Sequence, residues 1–291
     1  MLEAILKPFA YEFMQRALAA GVLAGVTCSI MAFFVIVKKL SFLGHGISHA
    51  SLGGVAIGVV AGKNPVATGA AFASVVAWVI GFISKKGSLH EDSAIGIISA
   101  SGMALGVILI SLSKTYTMDL TGYLFGNILA VTRQDLIALM IVSGAVLAFV
   151  GAFFKELLFM CFDEEGARAS GIPVSMLYYS LLTAIAITII AAIKVVGIVL
   201  VGAFLVTPAA TGHILSRNFR GMIAISAGTS LASVLIGLVV SYAFDIPSGA
   251  TIVLCSAAFF AFSLLVSHLA LARPTPSMRP NPSTQRPTWR P

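Results

Sequence analysis

Nine apolar runs, at about 17–37, 42–61, 66–84, 93–113, 134–154, 174–192, 195–215, 221–243 and 249–271, take up most of the 291-residue chain. Each approaches the roughly 20 residues that a helix needs to cross the hydrocarbon core of a bilayer. Lipid offers no partner to backbone N–H and C=O groups, so runs of this length must be helical. The expected fold class is therefore all-α: a polytopic transmembrane helical bundle with eight to nine spans, one run being free to dip in and return. Only 10% of the residues are charged and 58% are hydrophobic, whereas a soluble domain is about a quarter charged. Too few polar side chains remain to cover a water-facing surface. Glycine and alanine are dense inside the runs, as at Gly53, Gly54, Gly58 and Gly62, which suits close helix approach in a membrane.

Charge orients the runs. Lys38 and Lys39 follow the first, Lys85 and Lys86 the third, Lys155 and Arg168 the fifth, Arg217 and Arg220 the seventh, and Arg273 the ninth. Every second junction is basic, which predicts the N-terminus outside and the C-terminus in the cytoplasm. Lys7, Arg16, Lys63, Lys114 and Arg133 fall on the other side, so the rule holds as a bias. The net charge of +7 thus speaks for topology and anionic lipid, not for nucleic acid. Residues 1–272 form the transmembrane domain. Residues 273–291, rich in proline and arginine, form a disordered cytoplasmic tail. The opening MLEAILKPFAYEFMQRALAAGVLAG does not read as a cleavable signal. Cys28, Cys161 and Cys255 are scattered and form no disulfide framework. No GxxxxGK[ST] phosphate cradle occurs, so ATP is not hydrolysed by this chain.

Chemistry concentrates in SFLGHGISHASLGG, Ser41 to Gly54. On a helix His45 and His49, four residues apart, share one face and offer two imidazole nitrogens to one ion. Imidazole suits first-row transition metals, and ionisable groups at membrane depth are costly unless paired or functional. Ser48 is placed to orient an imidazole by a hydrogen bond. Two ligands leave a site incomplete, which suits transient binding along a path, where release must follow capture; hydrogen bonding across helices is the plainer alternative. HExxH is absent. His90, in SLHEDSA, belongs to a polar helix start, and His213 and His268 sit near run ends as interfacial or capping residues.

The run KELLFMCFDEEGARASGIPVSML, Lys155 to Leu177, is too polar to span and too short for a domain. It predicts a short amphipathic helix, then a turn at Gly171 and Pro173. Such a helix suits docking on a partner protein, and an ordinary connecting loop is the alternative.

These stretches together resemble the membrane permeases of ATP-binding-cassette importers for zinc, manganese and iron. The family pattern S-x-x-G-D-A-x-S-H-A-x-x-P-G is matched by SFLGHGISHASLGG; LFGNILAV (124–131), FDEEGARASGIP (162–173) and VGIVLVGAFLVTPAAT (196–211) match three further stretches. The likeness runs from about residue 15 to 270. It implies a transport subunit, not an enzyme, in a bacterial or archaeal plasma membrane (the inner membrane where there are two). It binds no cofactor of its own. ATP and Mg belong to a partner ATPase, an extracytoplasmic binding protein delivers the ion, and a second permease, identical or related, completes the path. By position His49 falls on the family's metal-path histidine, and His45 stands where the pattern has Asp. An imidazole for a carboxylate tilts the expected cargo slightly towards zinc, since manganese prefers oxygen. Gly53 stands where Pro is frequent. Phe162, Asp163, Glu164, Glu165 and Gly171 fall on the segment that couples to the ATPase. The rival reading is a secondary carrier working without an ATPase. It calls for acidic groups inside the spans, whereas the acids here cluster at junctions.

Overall fold

The structure, a computed structural model, describes residues 10–86, 91–112, 124 and 126–271. Among these residues the chain is helical throughout: α1 (Glu12–Val37), α2 (Ser41–Val60), α3 (Pro65–Lys86), α4 (Glu91–Leu112), a 3-10 turn (Ile128–Ala130), α5 (Arg133–Ala152), α6 (Phe154–Phe162), α7 (Glu164–Ala169), α8 (Val174–Val196), α9 (Ile198–Leu215), α10 (Phe219–Phe244) and α11 (Ser248–Leu271). Eight helices are long and apolar enough to cross a membrane, and α9 contributes a shorter apolar stretch, Val201–Leu215. The 18 residues of α9 reach about 27 Å, close to the ~30 Å of a hydrocarbon core. The fold is the expected all-α bundle. The tail from Arg273 and His90 lie outside the described residues.

Side-chain contacts give the direction of each helix. Gly21, Gly25 and Ser29 of α1 face Val234, Ser230 and Ser226 of α10, so the two run antiparallel. Phe34, Phe154 and Phe219 touch in series, the first pair edge to face and the second tilted, with centroids 6.2 and 6.0 Å apart, which gathers the end of α1 and the starts of α6 and α10 at one end of the bundle. This basic end carries Lys38, Lys39, Lys85, Lys155, Arg217 and Arg220. At the far end Asn64, Val131, Asp135 and Val195 converge on one cavity, and the Ser248 hydroxyl accepts from the amide of Ile128 at 3.3 Å. The described chain therefore starts at the far end with α1 and finishes at the basic end with α11.

Small residues decide the packing. α1, α2 and α8 have mostly buried apolar windows; in α3, α4, α5, α10 and α11 a third or less of the window is buried, as expected of helices with one face turned to lipid. The most extensive contact is that of α2 with α4. A Cβ on Gly102 would lie 2.8 Å from the Ala50 Cα, and one on Gly106 would lie 2.8 Å from the Leu52 carbonyl carbon. Both obstacles are backbone, so neither can swing aside. Gly102→Ala and Gly106→Ala should each cost ~1–3 kcal/mol by overpacking, seen as a lower melting temperature in detergent. Gly96→Ala, which meets nothing within 4 Å, should leave it unchanged or slightly higher.

Candidate metal-path site

Helix α2 is enclosed on three sides because its glycines admit neighbours to the backbone. At Gly44 an added Cβ would meet Leu205 of α9, at Gly46 it would meet Ile95 of α4, and at Gly54 it would meet Phe72 of α3. Gly202 of α9 completes the seat, its own Cβ position lying 3.1 Å from the Cα of His45. What remains uncovered is a stripe with Phe42 (62% exposed), His45 (exposed) and His49 (half-buried). The two imidazole centroids are 4.3 Å apart with planes at 63°. The i, i+4 pair expected from sequence thus forms.

The Ser48 reading needs correction. Its side chain is fully buried, and its hydroxyl donates to the carbonyl of His45 at 2.8 Å, while Ser51 donates to the carbonyl of Ser48 at 2.5 Å. A serine pointing into the packed side of α2 meets helix carbonyls first, so it steadies the backbone and not a ring. Among the described residues no group of three or more His, Cys, Asp or Glu side chains comes together. His213, in the last turn of α9, and His268, in that of α11, are exposed and remote from the pair in sequence. The pair presents two imidazoles side by side on the uncovered side of α2.

Two motifs that the sequence shows apart meet in space. Gly126, at φ +74°, lies so close to the Val196–Gly197 peptide that a Cβ would collide with it, and Gly197, at φ +92°, separates α8 from α9. A left-handed single-residue break lets α9 turn back along the bundle. Sequence reasoning named both stretches but not this contact. Nothing in the local pattern of either one reports the other.

At the basic end the polar segment folds as two short helices, not one. The carboxylate of Asp163 accepts from the amide of Gly166 at 2.8 Å and caps α7, and Gly171, at φ +81°, makes the expected turn. Phe162 is 69% exposed and Glu165 is exposed. Glu164 instead turns into its own chain. It pairs with Lys38 at the end of α1 and Lys85 in the last turn of α3, both at 3.2 Å, and with Arg168 at 3.5 Å. Lys85 also sits 4.2 Å over the ring of Tyr178 in α8. Partial burial opposes ionisation of Glu164, but hydrogen bonds and charge from Lys38 and Lys85 outweigh it and hold the carboxyl below its ordinary range. Burial pushes the neighbouring Cys161 thiol up to about 11, against the pull of Lys38, so this cysteine is inert near neutrality. Sequence reasoning read Lys38 and Lys85 as topology signals only; that they reach one carboxylate is a tertiary fact.

Comparison with known proteins places these features in context. The profile of the ABC 3 transport family matches residues 10–267. The manganese transport system membrane protein MntC of Listeria monocytogenes is 39% identical over 255 residues, covering 88% of this chain and 91% of that one. A Haemophilus influenzae protein named "Probable iron transport system membrane protein" is 35% identical over 272 residues, covering 93% and 100%. Among solved structures, a chain of PsaBC from Streptococcus pneumoniae in complex with Fab superposes with a TM-score of 0.83 at 35% identity, covering 91% of this chain and 95% of that one.

Proposed function

The chain belongs to the ABC 3 transport family, and from that premise we propose that it is the permease subunit of an ATP-driven importer that passes a divalent transition-metal ion. The observation that carries this reading is the His45–His49 pair, 4.3 Å apart, on the one open stripe of an otherwise enclosed helix. Imidazoles facing lipid would be costly. The stripe is therefore read as part of a path that a second permease, identical or related, covers from its other side. Two nitrogens capture an ion and do not cage it, so it moves on.

The basic end is the cytoplasmic side in this reading, with the N-terminus outside and residues 273–291 as the cytoplasmic tail. A partner ATPase binds there, supplying ATP and Mg, and an extracytoplasmic metal-binding protein delivers the ion at the far end. Phe162, Asp163, Glu164, Glu165 and Gly171 form the coupling segment: Phe162 and Glu165 project towards the ATPase, Asp163 and Gly171 shape the segment, and Glu164 ties it to the spans. The decisive experiment is ATP-dependent uptake of zinc, manganese and iron by vesicles holding the complete complex. Absence of uptake of any of them would overturn the proposal, and uptake without the ATPase would return the secondary carrier.

The preferred metal turns on His45. An imidazole where the family pattern has a carboxylate argues for zinc, while relatives named for manganese and iron pull the other way. His45→Asp should lower the ratio of zinc to manganese accumulated by cells. An unchanged ratio removes the argument for zinc.

A further inference from the structure

We propose that the far end of the bundle holds a binding site for an anionic phospholipid, in the cleft between α3 and α5. Both helices pack on α8 and neither packs extensively on the other, which leaves a cavity of about 720 Å³ with Ala20 of α1 and the last turns of α8 among its walls. That volume lies within the range of sites for small organic ligands. The inner walls are apolar, with Ala67, Ala70, Ala138, Val142, Ile187 and Ile190, so they offer a metal ion no ligand and water too few partners to fill the space. An acyl chain entering from the surrounding bilayer fits them.

The rim has the chemistry of a headgroup site. Asn64 and Gln134 line the mouth, and the residue before each is an exposed cation, Lys63 and Arg133. The acidic residue at the rim, Asp135, does not oppose an anion freely. Its carboxylate accepts from the amide and the hydroxyl of Thr132 at 3.2 and 2.8 Å in a capping box. Two exposed cations, each next in sequence to an amide residue at the mouth of a greasy cleft, suit a phosphate held at the rim with its chain below. This inference does not depend on the identity of the transported metal or on the histidine pair.

The test reconstitutes the full chain in nanodiscs of phosphatidylcholine and phosphatidylglycerol in equal parts, with one lipid or the other carrying a photoactivatable acyl chain. Cross-links from phosphatidylglycerol should concentrate on residues 65–70, 134–142 and 187–195. In Lys63→Gln/Arg133→Gln the phosphatidylglycerol yield at these residues should fall about five-fold for each cation removed, with phosphatidylcholine unchanged. In Ala138→Trp both yields should fall, because the indole takes the space of the chain. Cross-links spread evenly over all lipid-facing helices of the unaltered protein would overturn the proposal. Protection of the cleft, as by another segment of the chain, would overturn it too, as would a yield indifferent to both charge changes.

Discussion

Alanine at His49 should cut ATP-dependent metal uptake by the reconstituted complex to below a tenth of the unaltered rate, while the complex still assembles and hydrolyses ATP. The expectation rests on position and on count. His49 is the deeper of the two rings, half-buried on α2 where His45 is exposed, and with only two nitrogens in the group each one is half of the protein's hold on the ion. Tenfold corresponds to ~1.4 kcal/mol of lost hold on the ion, within reach of losing one imidazole ligand. Stability should hardly change, because the ring lies on the open stripe and neither fills the core nor takes part in the Ser48 and Ser51 hydrogen bonds. His45→Ala should act more weakly on rate and more on which metal is carried. The double variant should lose less than the sum of the two single losses if both rings serve one ion, since the two ligands are then coupled. Uptake by His49→Ala at more than half the normal rate would remove the histidine pair from the path.

That pair shows how far local sequence reaches. A spacing of four residues puts two side chains on one helical face whatever surrounds the helix, so the 4.3 Å ring contact was legible from His45 and His49 alone. Which way the face points was not. It follows from Gly44 and Gly202 against α9, Gly46 against α4 and Gly54 against α3, and each of these partners is remote in sequence. The same division holds for the fold. All nine expected runs are helices with ends, among the described residues, within about five residues of their expected places, because hydrophobic length is a property of the run itself. The single-residue break at Gly197 and its stacking on Gly126 were invisible, being a contact between two runs. The polar stretch in 155–177 suggests one short helix by composition and holds two, because the Asp163 cap starts a second one. Ser48 departs from its expected role for a related reason: a buried hydroxyl in a helix finds the carbonyl one turn back before it finds a neighbouring ring.

Arginine at Glu164 should uncouple the permease, lowering uptake several-fold while the histidine site is untouched. Glu164 is the anion to which Lys38, Lys85 and Arg168 all turn, so reversal places a fourth cation among three. A surface ion pair is worth at most ~1 kcal/mol and breaking a buried one costs ~3–5 kcal/mol. With Lys38 14% and Glu164 34% exposed, detachment of α7 from α1 and α3 should fall between these limits, about 2 kcal/mol. Lys38 and Lys85 lie at the ends of two different spans, so their shared carboxylate joins α7 to both at once. Glu165→Arg separates this role from docking. It alters an exposed side chain without touching the clasp, so, if the segment docks on the ATPase as proposed, it should weaken that association and spare the thermal stability of the permease alone. Glu164→Arg should lower that stability first. The pH dependence follows from the depressed Glu164 carboxyl. Its contribution is complete above the ordinary glutamate range, ~4.3, and is lost only as pH falls through the lower folded value. Glu164→Gln should therefore behave at neutral pH as the unaltered protein does in acid, with a melting temperature that no longer drops on acidification through that range. Equal stability of Glu164→Gln and the unaltered permease at neutral pH would mean that the three ion pairs decorate the basic end and transmit nothing.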